Sequence, residues 1–151
     1  YKTVEDTTGV KFGNAFLAVL DEGTQYFSSE KPAIALSVFK SYLPAQAVSF
    51  AHSLQSAIYH DGLDLNQNSN YQTLIEQYQL PTAEFIKKME SEEFKQNAYY
   101  DFALARQLQV SGYPAAFIKT TENQFYMIAK GYADLETMQL RIANVLKEIG
   151  V

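Results

Sequence analysis

The sequence predicts an α/β chain: helices through the first hundred residues, then one β-hairpin, then a single closing helix. Three observations carry this. Apolar residues recur at helical spacing from Val10 to about Gln109. Two short apolar runs, Ala115–Lys119 and Gln124–Lys130, lack that spacing and flank a polar turn, which is the pattern of a hairpin. Leu135, Met138, Ile142, Val145, Leu146 and Ile149 then return to one helical face behind Asp134, a good capping residue.

The elements follow in order. Val10 to Leu20 places Phe12, Phe16, Val19 and Leu20 on one stripe, and Asp21-Glu22-Gly23 ends it. Ser28-Ser29-Glu30-Lys31-Pro32 starts a second helix, with hydroxyls to cap it and a proline tolerated in its first turn. Its apolar face is Ile34, Ala35, Val38, Phe39 and Tyr42, and the Leu43-Pro44 step ends it. A third helix spans about Ala45 to Tyr59. A polar loop from His60 to Ser69 leads to a short helix with Tyr71, Leu74, Ile75 and Tyr78. Thr82 reads as the N-cap for Phe85, Ile86 and Met89, and Ser91-Glu92-Glu93 opens a helix running to about Gln109. Val110-Ser111-Gly112-Tyr113-Pro114 is a turn, Ala115–Lys119 a strand, Thr120–Asn123 a polar turn and Gln124–Lys130 a second strand. Gly131-Tyr132 breaks it before the last helix. There is no internal repeat and no low-complexity tract.

With 151 residues the chain is one domain, or one domain with an insertion. It is 47% hydrophobic with 11 Tyr and 10 Phe, enough for an aromatic core. Twelve Lys and Arg against 17 Asp and Glu give −5, which argues against nucleic acid because nothing would neutralise a run of phosphates. No apolar run approaches the roughly 20 residues that cross a bilayer. No cysteine is present, so these residues supply no disulfide, thiolate metal site or thiol nucleophile.

Most polar candidates read as structural. Oxygen-bearing residues recur from Asp64 to Asn70, but a calcium loop counted from Asp64 would need Gly at its sixth position and Glu at its twelfth. Those positions hold Ser69 and Ile75. His52 and His60, the two histidines, lie eight residues apart, farther than the close local pairs that zinc sites favour, and Asp61 or Asp64 could form a His–carboxylate pair with one of them. No Ser in a G-x-S-x-G turn accompanies them. Glu92 and Glu93 suit a helix N-terminus better than a catalytic pair. No metal site is expected. Gly112-Tyr113-Pro114 stands apart: a helix stops, and a proline sits immediately before an apolar strand, a place for a tight turn, cis or trans.

At this motif the order of elements resembles the C-terminal half of a thioredoxin fold, and specifically the DsbA-like family, whose core carries a helical insertion. The matching stretch is Phe102 to Phe117, supported by Gly131-Tyr132 after the hairpin. Upstream, Tyr26–Ala33, Phe50–Tyr59 and Leu80–Phe85 resemble the insertion. The resemblance implies a truncated thioredoxin-like fold, with residues 1–96 mainly the helical insertion and 97–151 the C-terminal half of the core. It implies that the family's Cys-x-x-Cys lies outside this chain, so that no catalytic residue is present here and the chain alone has no redox activity. Pro114 matches the family's cis-proline, which faces the Cys-x-x-Cys and keeps a backbone donor from the thiolate. Tyr113 matches the residue whose backbone pairs with substrate, and Gly112 gives the turn room.

The function so implied is that of a fragment of a thiol–disulfide oxidoreductase acting on protein or peptide cysteines, without cofactor. One alternative is a relative of the glutathione-dependent hydroxychromene-carboxylate isomerases and kappa-class transferases, with glutathione as cosubstrate. Another is a non-catalytic peptide-binding module using strand addition. With its strand partner missing, Ala115–Lys119 would expose an apolar edge through which two copies pair, unless upstream residues cover it. Compartment is open between bacterial cytoplasm and periplasm.

Overall fold

In the computed structural model of the chain, which describes residues 1–150, the first helix is one that the apolar pattern does not announce. α1 (Lys2–Thr8) buries nothing and is held by local bonds. The hydroxyls of Thr7 and Thr8 donate to the carbonyls of Thr3 and Val4, each at 2.8 Å. Gly9, left-handed at φ 75°, ends it.

α2 (Asn14–Glu22) begins four residues later than the stripe from Val10 predicts. Two contacts pin the preceding chain in extended form. The Phe12 N–H donates to Glu5 Oε1 at 3.0 Å, and the Gly13 N–H donates to the Tyr59 carbonyl at 3.0 Å. Gly13 approaches so closely that a β-carbon there would lie 1.9 Å from the His60 carbonyl oxygen. Phe12 therefore precedes the helix, yet still stacks on Phe16 with ring centroids 5.4 Å apart.

α3 (Glu30–Tyr42) ends at Leu43, which the following proline forces out of helical geometry. A 3-10 turn, Pro44–Gln46, then leads into α4 (Ala47–Tyr59), two residues after the expected start. Phe39 of α3 and Phe50 of α4 stack almost parallel at 4.1 Å, and Tyr78 meets both edge-on at 4.8 and 5.6 Å. Such pairs contribute about 0.5–1.5 kcal/mol each beyond the area they bury. They form the centre of a core completed by Leu54, Ile75 and Phe85.

The polar loop closes with a 3-10 turn, Asn68–Tyr71, and α5 (Gln72–Glu76). Tyr71 is fully buried, and its hydroxyl donates to the Leu65 carbonyl at 2.8 Å. α6 (Thr82–Met89) turns Phe85 and Met89 inward. Pro81, not Thr82, occupies its cap position, and Thr82 is the first helical residue with no capping bond. α7 (Glu92–Gln107) buries Phe94 and Ala98, and stops two residues short of Gln109.

The chain forms two compact units, Tyr1–Ala103 and a second that begins at Leu104. The division expected between residues 96 and 97 cuts the same helix about two turns earlier. In the second unit β1 (Ala115–Thr121) pairs antiparallel with β2 (Gln124–Lys130), with a register shift between Ala116 and Phe117. Thr120 and Thr121 belong to the strand, so the turn shrinks to Glu122-Asn123. α8 (Leu135–Glu148) is capped by Asp134, whose side chain accepts from the Thr137 N–H at 2.7 Å. Arg141 Nη1 ties it to β2 through the Ile128 carbonyl at 2.8 Å. Only the middle of its apolar face is covered. Val145 is buried and Leu135 is 72% exposed, because two strands offer little surface to pack on. No described helix is long and apolar enough to cross a membrane.

Candidate functional site

The route from α7 to β1 is set by one unusual residue. Gln109 is left-handed at φ 55°, a position that usually falls to glycine. There its N–H donates to the Arg106 carbonyl at 3.0 Å, while the Val110 N–H reaches the Ala105 carbonyl at 3.0 Å. These two bonds end the helix as a Schellman motif and turn the chain outward.

Ser111 to Pro114 then form a lip on the second unit. The Tyr113–Pro114 peptide is cis, and Tyr113 is 76% exposed. The Pro114 carbonyl accepts the Gly131 N–H at 2.8 Å, which closes the base of the hairpin. Gly112 lies at the apex of this lip. A β-carbon there would meet nothing within 4 Å, and its φ is not left-handed, so no local crowding calls for glycine.

The lip runs directly into β1. Among the described residues the sheet consists of β1 and β2 alone, so the outer edge of β1 has no strand partner. Phe117 and Ile118 are partly buried and Lys119 is exposed. The chemical capability is that of backbone recognition. Unpaired N–H and C=O groups, led by an exposed tyrosine, suit an extended segment added in line. The chain contains no thiol to act on such a segment.

The other sequence candidates fall elsewhere and do other things. Asp64 Oδ1 accepts the Asn66 N–H at 2.9 Å and the Asn66 amide at 2.8 Å, and Oδ2 faces Gln67 Nε2 at 3.3 Å. The Asn66 backbone bond is the main cause that holds its carboxyl below the ordinary value, opposed by partial desolvation. That is an Asx turn stabilising its own loop. His52 is exposed on α4. His60 follows that helix with Nδ1 2.7 Å from Asp61 Oδ1. Glu92 accepts from Gln96 one turn along α7. Among the described residues no group of three His, Asp or Glu side chains could hold a metal ion.

One feature escaped the sequence. In the first unit α3 and α7 border an open cleft of about 400 Å³ lined by Ser37, Lys40, Glu93 and Asn97 among others. The readable signal was a serine within the apolar stripe Ile34, Ala35, Val38, Phe39.

No protein-family model and no curated protein matches the chain. Among solved structures the fold is similar to that of a proposed protein disulfide isomerase from Nitrosomonas europaea. The TM-score is 0.84 at 21% sequence identity, over 97% of this chain and 70% of that one. The likeness establishes the fold: a mixed helical chain with a two-stranded antiparallel sheet, of the kind found in that proposed disulfide isomerase and consistent with a truncated thioredoxin-like fold.

Proposed function

We propose that the chain is the substrate-side portion of a DsbA-like thiol–disulfide oxidoreductase that acts on protein cysteines. In this reading residues 1–96 are the helical insertion and 97–151 the C-terminal half of the core. The observation that carries it is the lip itself: an exposed Tyr113, followed by Pro114, leads into an unpaired β1 edge. The fold likeness, which extends over 97% of the chain, supports it.

Tyr113 and the β1 edge hold an extended cysteine-bearing segment by its backbone, and Pro114 lies against the reacting sulfurs. Thiol–disulfide exchange proceeds by attack of a thiolate on a disulfide sulfur, so the nucleophile must come from cysteines outside these 151 residues. The chain alone binds and does not exchange.

The test is the intact mass of the native gene product, before and after alkylation under reducing, denaturing conditions. A species heavier than 17.1 kDa that takes up two alkyl groups is the expected result. A native protein of 17.1 kDa that takes up none overturns the oxidoreductase reading. Strand-addition binding of peptides at the Tyr113 lip is then what remains to assay.

A further inference from the structure

Two glycines lock the start of α2 against the end of α4. A β-carbon on Gly13 would lie 1.9 Å from the His60 carbonyl oxygen, and one on Gly62 would lie 2.9 Å from the Ala15 carbonyl carbon and oxygen. The backbones of residues 13–16 and 59–62 therefore touch from both sides, an approach that only glycine permits. The Gly13 N–H donates to the Tyr59 carbonyl at 3.0 Å across the same seam. Behind it Phe16 rests on the Phe12 and Tyr59 rings, its centroid 5.4 Å from each.

The residue between these two contacts is Asp61. Of the six aspartates and seven asparagines in the chain, Asp61 alone is followed by glycine. Elsewhere the next residue's β-carbon hinders its backbone nitrogen from reaching the side-chain carbonyl carbon, and glycine has none. The Asp61 side chain is 53% exposed, and its hydrogen-bond partner is His60, with Nδ1 2.7 Å from Oδ1. One bond stands in the way: the Gly62 N–H donates to the Ile58 carbonyl at 3.1 Å. It lies past the last residue of α4, where helices open first.

We propose that Asp61–Gly62 is a site of spontaneous backbone modification, and that the modification unlocks α2. When the turn opens, the Gly62 nitrogen attacks Asp61 Cγ. A C–N bond forms and a Cγ–O bond breaks. The departing oxygen leaves as water, with the Gly62 amide proton and one proton from His60 or solvent. Water then opens the five-membered succinimide at either carbonyl. Opening at the main-chain carbonyl leaves the peptide running through Cγ: an isoaspartate, with unchanged mass and one extra methylene in the backbone. That atom enters between the His60 and Gly62 contacts, so both cannot stay seated. The chemistry needs no cysteine and is independent of the oxidoreductase reading.

Ageing the native gene product at mildly acidic pH in water enriched in heavy oxygen tests this. Peptide mapping with fragmentation that distinguishes the two linkages should find isoaspartate at residue 61, with heavy oxygen taken up there. The other aspartates of the chain should stay normal. Hydrogen exchange in the aged protein should be about fivefold faster at the Gly13 amide and in the first turn of α2, as loss of one backbone hydrogen bond allows. Exchange in α3 and α6 should not change. Asp61→Glu, whose ring would have to be six-membered, should keep both the linkage and the exchange of the fresh protein. Absence of isoaspartate from the folded protein overturns the proposal, and its formation in urea would then show that the turn protects the site. Isoaspartate at residue 61 with unchanged exchange in α2, or equal modification at the other aspartates, overturns it as well.

Discussion

The Gly131 N–H donates to the Pro114 carbonyl at 2.8 Å, joining the start of β1 to the residue that follows β2. Gly131 is left-handed at φ 80°, with no atom within 4 Å of where a β-carbon would stand. Its need for glycine is thus conformational and not steric. Gly131→Ala should cost about 1–2 kcal/mol in urea unfolding, the usual penalty for an L-residue held there. Gly112→Ala, two positions before Pro114, lacks both constraints and should stay within about 0.5 kcal/mol of the parent. Equal losses in both variants would show that the turn is constrained in some other way.

Two glutamines are in the opposite situation. Gln79 and Gln109 are both left-handed at φ 55°, each at the end of a helical segment. At Gln79 the Leu80 N–H reaches the Ile75 carbonyl at 3.4 Å while the Gln79 N–H reaches Glu76 at 2.9 Å, the same pair of bonds that ends α7. Gln79→Gly and Gln109→Gly relieve the strain but loosen the unfolded chain, so each should gain up to about 1 kcal/mol. Gln96→Gly inside α7 should instead lose about 1 kcal/mol. Urea midpoints for the three variants give the signs directly.

These helix ends also show where the sequence was readable. Phe39, Phe50, Leu54 and Phe85 were legible because helical spacing and burial coincide. The punctuation around Pro114 was legible because a helix stops there and a strand starts. The true start of α2 was not, since it is set by Gly13 lying against the His60 backbone, far along the chain. Neither was α1, whose threonine-to-carbonyl bonds leave no apolar stripe. Ser37 had no reading as a site, because its cleft exists only once α7 lies beside α3.

Asp134 supplies a pH-dependent contribution to the second unit. The Thr137 backbone N–H is the first cause that lowers its pKa below 3.8, with help from the Thr137 side chain and the charge of Arg141. A carboxyl held low when folded stabilises above its unfolded pKa, and that contribution disappears as pH falls through the folded value. Asp134→Asn keeps a capping oxygen and removes the charge, so it should retain most protection of α8 at neutral pH and lose the acid dependence. Asp134→Ala should lose protection at neutral pH as well. Hydrogen exchange of the first turn of α8 between about pH 3 and 6 distinguishes these outcomes, since this range brackets ordinary carboxylate titration.

Tyr71 governs the alkaline side. Its hydroxyl is buried against the Leu65 carbonyl, and burial first, then the nearby Asp64 charge, pushes its pKa well above 10.0. The folded state therefore holds this proton more tightly than the unfolded state does. The associated stability is complete below about pH 10, where the unfolded phenol begins to ionise, and is lost as pH rises towards the folded value. Tyr71→Phe should cost about 1–3 kcal/mol at pH 8, because the buried Leu65 carbonyl loses its donor. Above pH 10 the gap between parent and variant should narrow, since only the parent pays to keep a phenol protonated in the core. Urea unfolding at pH 8, 9.5 and 10.5 measures that gap, and a gap that stays constant would show that Tyr71 does not carry the alkaline dependence.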